Sequence, residues 1–429
     1  MSSRTLRRWA ASACFALATV AVVTVGFVQG QIAITLPLFV GLDGVSVLNA
    51  TVAALSFTVT LLVSGAIFAV EVLRERDRGP YPTTGPEIAA VVPSYGDASA
   101  LHRSVESLLD SDYADVRVYV VCEPGDDATL DRARSLAERG RVTCLVNDRD
   151  PGSKAAAVTY AVDRTDAPYL GVFDADERVH PTFLAAAAAG LDDHEVVQGR
   201  TFPRPDGLLE SITYYESVVL GYLSHRLVSH LTDFDMVASN ALAMRRETYD
   251  RVGGYDPRML TEDFDFAFRC YEDRVSVRSS FAYPSEIEGA HTLRDWWGQR
   301  KRWMTGYAQV FHRRIGRFHP VASPRSATSL VFCAGAIFGN FVVLSLVPQL
   351  AVLAAVGASA VLAVTVGTLW GICLGVRLLD ARLGVVDGVG LAWLLVPVAL
   401  PFYSLAAIKG IVEYPLSWEG EWFRVEKEG

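Results

Sequence analysis

The chain has 429 residues, 51% of them apolar, and a formal net charge of −9 at neutral pH. Only four lysines stand among its 39 basic residues, and this acidic balance argues against nucleic acid as a partner. The six cysteines (Cys14, Cys122, Cys144, Cys270, Cys333 and Cys373) form no CxxC pair and no cluster with histidine, so neither a zinc site nor a disulfide framework is indicated.

The apolar residues are unevenly spread. Stretches 11–28 and 50–72 are nearly charge-free, each long enough for one membrane crossing at ~20 residues per helix. Stretch 327–376 is long enough for two, with a break expected at "VPQL" around Pro348, and 389–408 adds another. About five spans are expected on this count, two before a central region and three after it. The start "MSSRTLRRWA" has the basic flank of a signal peptide, but its long apolar run and the second span that follows favour a retained helix. Arg4, Arg7 and Arg8 before the first span, with Arg74, Arg76 and Arg78 after the second, put both ends and the central region on the cytoplasmic side. Five spans would leave the C-terminal tail outside.

In the central region, strand and helix patterns alternate. "IAAVVPSYGD" reads as a strand ending in a loop, and "ALHRSVESLLDSDY" as a helix with Leu101, Val105, Leu108 and Leu109 on one face. "VRVYVVCEPGDD", "VTCLVND" and "APYLGVFDADE" are further strands, separated by the helices "TLDRARSLAERG" and "SKAAAVTYAVDRT". This alternation predicts a mostly parallel sheet with helices on both faces, whose ligands sit outside the carboxyl ends of the strands. Four loops meet that rule: Pro93–Asp97, Glu123–Asp127, Asp148–Lys154 and Asp174–Glu177. Polar strand ends are commonplace taken singly; the convergence of carboxylates with one of the few lysines is less so.

Asp174 and Asp176 are two residues apart, which in an extended segment points both side chains the same way. Neighbouring carboxylates repel unless a cation joins them, and a hard divalent ion such as Mg2+ or Mn2+ bridging to phosphates is the usual solution. Lys154 opens a helix after a Gly-containing turn, a setting that suits phosphate and equally a solvated lysine. "MLTEDFDFAFRCYED" gathers Glu262, Asp263 and Asp265 before an apolar helix that Thr261 could cap. Those acids suit either the helix dipole or a general base for an acceptor hydroxyl. In "LRDWWGQRKRWMTGYAQV", Trp296, Trp297, Trp303 and Tyr307 interleave with Arg294, Arg300, Lys301 and Arg302. Such a helix suits a membrane surface, and the same side chains can stack on sugars or bind diphosphate.

These motifs in this order resemble membrane-embedded family 2 glycosyltransferases, the group that includes cellulose, chitin and hyaluronan synthases. "VVPSYGD" matches the family's opening motif, "DAD" its DxD, "ASNALAMRRETYDRVGGYDP" its GS/T-N and RR…GG(F/Y) region, Thr261–Asp263 its TED, and Gln299, Arg302 and Trp303 its QxxRW. The resemblance covers residues 88–310. It implies a GT-A (Rossmann-like) α/β domain and inverting transfer from a nucleotide-diphosphate sugar, conventionally a UDP-sugar. Carried over, Asp174 and Asp176 would hold the metal, with Asp174 also facing the nucleotide, and Asp263 would be the base. Pro93, Tyr95, Asp97, Glu123, Asp127 and Lys154 would line the nucleotide-sugar site. Glu262, Gln299 and Arg302 would serve the acceptor and leaving diphosphate, and Trp303 would stack near the acceptor sugar. "CEPGDD" departs from the family's usual DDGS(T)D, so Glu123 stands where an aspartate is usual. The layout expected from the resemblance is a membrane region over 1–79, the GT-A domain over 80–295, an interfacial segment over 296–325 and a second membrane region over 326–429. The expected partners are a nucleotide sugar, a polysaccharide or lipid-linked (polyprenyl phosphate) acceptor and membrane lipids. Three C-terminal spans make a thin export channel, for which a homo-oligomer or a partner could compensate. A receptor or scaffold that kept the fold without catalysis would be marked by loss of DxD or TED, and both are present.

Overall fold

The computed structural model describes residues 40–76, 78–316, 324–355 and 357–417. The first expected span and the C-terminal tail lie outside the described residues. Two compact units emerge, an α/β unit drawn from residues 68–204 and 229–290, and a helical unit drawn from the rest.

A long helix, α1 (Val40–Arg76), leads into the α/β unit. There β1 (Ile88–Ser94), α2 (Leu101–Leu109), β2 (Val116–Cys122), α3 (Asp127–Ala137), β3 (Val142–Val146), α4 (Lys154–Val162), β4 (Tyr169–Val172), α5 (Phe183–Leu191) and β5 (Val196–Pro203) follow one another. The chain next contributes α6 (Leu208–Glu216) and a π-helical stretch (Ser217–Leu223) to the helical unit, and continues through α7 (Ser224–Thr232). It completes the α/β unit with β6 (Leu242–Arg245), α8 (Arg246–Val252), α9 (Glu262–Glu272) and β7 (Val277–Ile287).

The seven strands form one sheet in the order β3-β2-β1-β4-β6-β5-β7. The first four are parallel, β6 runs antiparallel to β4 and β5, and β5 and β7 are parallel. Ile88 to Val92 are fully buried, as expected of a central strand covered on both faces. Ala89, Val91, Val158, Leu170, Met244 and Phe266 belong to one core cluster between sheet and helices. On α2 the buried face is Leu101, Ser104, Val105 and Leu108, whereas Leu109, expected on that face, is only half-buried. At the β7 edge the ladder with β5 shifts register between Gly199 and Thr201. There Glu75 of α1 accepts hydrogen bonds from the Phe281 and Ala282 amides (2.8 and 3.0 Å) and the Ser280 hydroxyl (2.7 Å), satisfying donors that the irregularity leaves over.

The helical unit is built on α10 (Leu293–Gly316), α11 (Pro324–Ala355), α12 (Ser359–Arg382) and α13 (Val396–Ser417). Among the described residues four helices, Ala50–Arg76, Pro324–Ala355, Ser359–Arg382 and Ala392–Leu416, are long and apolar enough to cross a membrane. Much of their apolar surface points outward, including Val331, Phe338, Val364 and Phe402, which is surface a bilayer covers and which associates the chain with a membrane. The break expected at Pro348 is not there. Helix α11 runs through Pro348 and ends seven residues later, where Gly357 adopts φ 80°. Its amide donates to the Ala354 carbonyl (3.1 Å) and that of Ala358 to the Leu353 carbonyl (2.8 Å), a Schellman close. Proline removes one backbone donor, which a long apolar helix tolerates; the left-handed glycine is what turns the chain.

Candidate functional site

The carboxyl ends of β1, β2 and β4 open onto loops that are tied together by side chains. After β1, the Tyr95 amide donates to Asp97 Oδ2 (3.0 Å), the Gly96 amide to Asp126, and the Asp97 amide to Thr129 Oγ1 (3.0 Å). Asp126 also caps α3 by accepting from the Thr129 amide (3.3 Å), so one aspartate joins the β1 and β2 loops. Pro93 is half-buried, Tyr95 is 55% exposed, and Asp127 is exposed in the first turn of α3. Glu123, just past β2, accepts from the Gly152 amide at 2.7 Å, and buried Asn147 donates to the Asp150 carbonyl at 2.9 Å. Ser153 caps α4, placing Lys154 in its first turn.

Lys154 donates to Asp174 Oδ1 at 2.5 Å, and Asn240 Nδ2 donates to the other oxygen of Asp174 at 3.1 Å. Asp174 and Asp176 do not lie in an extended segment. Strand β4 ends at Val172, and the Glu177 amide closes a turn onto the Asp174 carbonyl at 3.1 Å. The cause is Glu177, fully buried, whose carboxylate accepts from the amides of Asp174 (3.0 Å) and Ala241 (3.2 Å). Burial first, then the Asp174 charge, pushes the Glu177 carboxyl up to about 8. The two aspartates therefore have different partners, and Asp176 Oδ2 accepts from the Glu288 amide at 3.2 Å.

Glu262, the first residue of α9, accepts from the buried Ser239 hydroxyl at 3.0 Å. Burial, and next the Asp263 charge, raises Glu262 to about 7, against the opposing pull of Lys154. For Lys154 burial acts to lower the pKa, but Asp174, Glu262 and Asp263 together outweigh it and the net shift is upward. One ammonium thus answers to three carboxylates drawn from two motifs. Thr261 does not cap α9: its side chain takes no hydrogen bond from the first turn, and the Phe264 amide is instead met by Asp263 at 2.8 Å.

Among the described residues no group of three or more His, Cys, Asp or Glu is placed to hold a metal. Asp174 and Asp176 nonetheless fit a hard cation. Their carboxylate oxygens are the donors such an ion takes, although a metal would share both Asp174 oxygens with Lys154 and Asn240, and Mg2+ or Mn2+ ordinarily fills the remainder of its shell with water and substrate phosphates.

Gln299, Arg302 and Trp303 lie on α10 in the helical unit, at i, i+3 and i+4, on one side of the helix. Thr292 caps the start of the helix: the Asp295 amide donates to Thr292 Oγ1 (3.1 Å), and the Thr292 hydroxyl donates in turn to the Asp295 carboxylate (2.7 Å). The expected headgroup-facing alternation of aromatic and basic residues is only partly realised: Trp296 and Arg300 are buried, because Glu216 of α6 accepts from both. The sequence pointed to Ser239 and Asn240 only as part of the GS/T-N match and assigned no role to them, to Glu177 or to Glu216. Glu177 carried the signal of a further acid directly after DAD, whereas Glu216 carried none.

Comparisons with known proteins agree on family. The model of a glycosyltransferase like family 2 matches residues 86–306. A beta-monoglucosyldiacylglycerol synthase of Synechocystis sp. is 24% identical over 54% of this chain and 49% of its own length. The UDP-forming cellulose synthase catalytic subunit of Pseudomonas fluorescens is 25% identical over 54% of this chain and 32% of its own. The chain thus spans half or less of the length of these two relatives. Among solved structures, the mannosyltransferase PcManGT from Pyrobaculum calidifontis in complex with GDP-Man and Mn2+ aligns with a TM-score of 0.49 at 18% identity, over 83% of this chain and 97% of that one.

Proposed function

The chain belongs to the glycosyltransferase like family 2, and from that premise we propose that it is an inverting, metal-dependent, multi-pass membrane enzyme that transfers a sugar from a UDP-sugar to a growing polysaccharide. Its α/β domain faces the cytoplasm of a cell whose plasma membrane holds the helices, a reading supported by Arg74, Arg76 and Arg78. The observation that carries the reading is the meeting of Lys154 with Asp174 and, electrostatically, with Glu262 and Asp263. A donor diphosphate needs cations and an acceptor hydroxyl needs a base, and the nearness of Lys154 to these carboxylates supports both roles.

Pro93, Tyr95, Asp97, Glu123 and Asp127 bind the nucleoside, and Lys154 faces its phosphates. Asp174 and Asp176 would hold Mg2+ or Mn2+, which when bound offsets the negative charge developing on the leaving diphosphate. Asp263 takes the proton of the acceptor hydroxyl as the new carbon–oxygen bond forms on the face opposite the breaking sugar–phosphate bond. The electron pair of that broken bond leaves with the nucleoside diphosphate. Arg302 pairs with the departing charge, Gln299 and Glu262 orient the acceptor, and Trp303 stacks on its sugar. The similarity to a beta-monoglucosyldiacylglycerol synthase favours one second reading, a single transfer to a lipid-linked acceptor.

Full-length protein in native membranes, given a panel of radiolabelled nucleotide sugars, is expected to build long polymer from a UDP-sugar only with Mg2+ or Mn2+ present. A product carrying one sugar in the lipid extract would replace the polymer reading with the second one. No incorporation from any donor would remove both. Asp176→Asn should weaken Mn2+-dependent nucleotide binding by about 10- to 100-fold, the scale for disturbing a metal site; equal affinity with and without Mn2+ in the wild type would count against the metal.

A further inference from the structure

Between the three motif residues on α10 sits Arg300, only 1% exposed. A buried guanidinium persists only where it is neutralised and hydrogen-bonded. Glu216 Oε1 accepts from Arg300 Nε and Nη2, both at 2.8 Å, while Glu216 Oε2 accepts from Trp296 Nε1 at 2.9 Å. The third nitrogen, Nη1, donates to Gln299 Oε1. The guanidinium carbon lies 5.0 Å from the ring centre of Trp296 and 4.9 Å from that of Trp303, within cation–π reach of both. Residues 296, 300 and 303 are spaced i, i+4 and i+7, one stripe of the helix.

We propose that Arg300, anchored by Glu216, is a positioning residue that sets the orientation of Gln299 and Trp303 toward the acceptor. The proposal rests on the acceptor role given to those two residues above. A staple between α6 and α10 accounts for the Glu216, Arg300 and Trp296 contacts, all buried. It does not account for the remaining N–H and the remaining ring contact, which go to Gln299 and Trp303, both only half-buried. One rigid, planar cation fixes two motif side chains at once, which a lysine ammonium cannot do.

The test is the amount of labelled sugar incorporated per nucleoside diphosphate released, since water competes with a badly held acceptor. It uses the full-length protein in native membranes with radiolabelled UDP-glucose, UDP-N-acetylglucosamine and GDP-mannose. Arg300→Ala would strand a buried carboxylate and endanger the fold, so the variants are Arg300→Lys and the double change Glu216→Gln with Arg300→Gln, which removes both charges together. In both the ratio is expected to fall about tenfold, the scale of losing one or two cation–π contacts, while the donor concentration for half-maximal release stays unchanged. Incorporation and release falling together at the wild-type ratio would overturn the proposal, leaving only a staple. Full rescue by Arg300→Lys would overturn it too, because charge alone would then suffice. A wild type that releases no nucleoside diphosphate from any donor would instead defeat the sugar-transfer reading, and this proposal with it.

Discussion

The two units treat charge in opposite ways. In the α/β unit, acids gather at strand ends with their repulsion incompletely relieved: Lys154 answers to Asp174, Glu262 and Asp263, and Glu262 is pushed up to about 7. In the helical unit, the buried charge of Arg300 is closed off by Glu216, and the Asp380 carboxylate by the Tyr214 hydroxyl. The first arrangement is poised for a charged ligand, the second holds a framework. Substitutions in the first should therefore change chemistry and pH behaviour, and in the second, stability and orientation.

The largest effect expected is on chemistry. Asp263→Asn removes the proposed base and should lower turnover about 100- to 10,000-fold, the range for general-base loss, with nucleotide affinity nearly unchanged. Wild-type turnover would refute the base, and a parallel loss of affinity would move Asp263 to donor binding. Next in size is the helical counterpart. Arg300→Ala leaves Glu216 buried and unpaired and should cost roughly 3–5 kcal/mol, read as a lower melting temperature in detergent. A melting temperature within experimental error of wild type would show that this unit does not close off its charge as described.

Glu262 gives the α/β unit a pH dependence that can be read directly. The folded-state value of Glu262 stands above its ordinary 4.5, at about 7. A raised acid contributes stability that is complete below its ordinary value and is lost as pH rises through the folded value, so the window runs from about pH 4.5 to about pH 7. Glu262→Gln keeps an acceptor for Ser239 and should flatten that slope, gaining on the order of 3 kcal/mol above the window. Melting curves of the variant and the wild type across that window decide it; a Glu262→Gln protein with the wild-type slope would refute the raised value.

How legible each unit was in the sequence follows from the same physics. The strands of the α/β unit could be read because buried apolar runs end abruptly on charge, as "LGVFDAD" does, and the loops carrying Lys154, Glu123 and Asp174 fell where the alternation put them. The turn at Asp174 could not, since it depends on Glu177 reaching the amide of Ala241, 64 positions away. Nor could the anchoring of Arg300, whose partner Glu216 is 84 positions distant and looks in the string like any helical acid. Binary patterning tells which face is buried, not which distant polar group satisfies it. In the helical unit even the pattern fades, because residues there are apolar on all sides and no period marks an end.

Pro348 and Gly357 test that last point with the smallest expected effect. Both residues are familiar helix breakers, and within an apolar run composition does not rank them. Geometry does. Pro348 sits inside α11 with its fixed φ compatible with the helix, lacking only one backbone bond, so Pro348→Ala should restore that bond and raise the melting temperature slightly, if at all. Gly357 has φ 80° with nothing within 4 Å of an added Cβ, so Gly357→Ala meets no clash and suffers only the left-handed backbone penalty, about 1–2 kcal/mol. If α11 ends because of the left-handed glycine, melting should fall for Gly357→Ala and not for Pro348→Ala. The reverse order would restore the proline as the point where the two helices part.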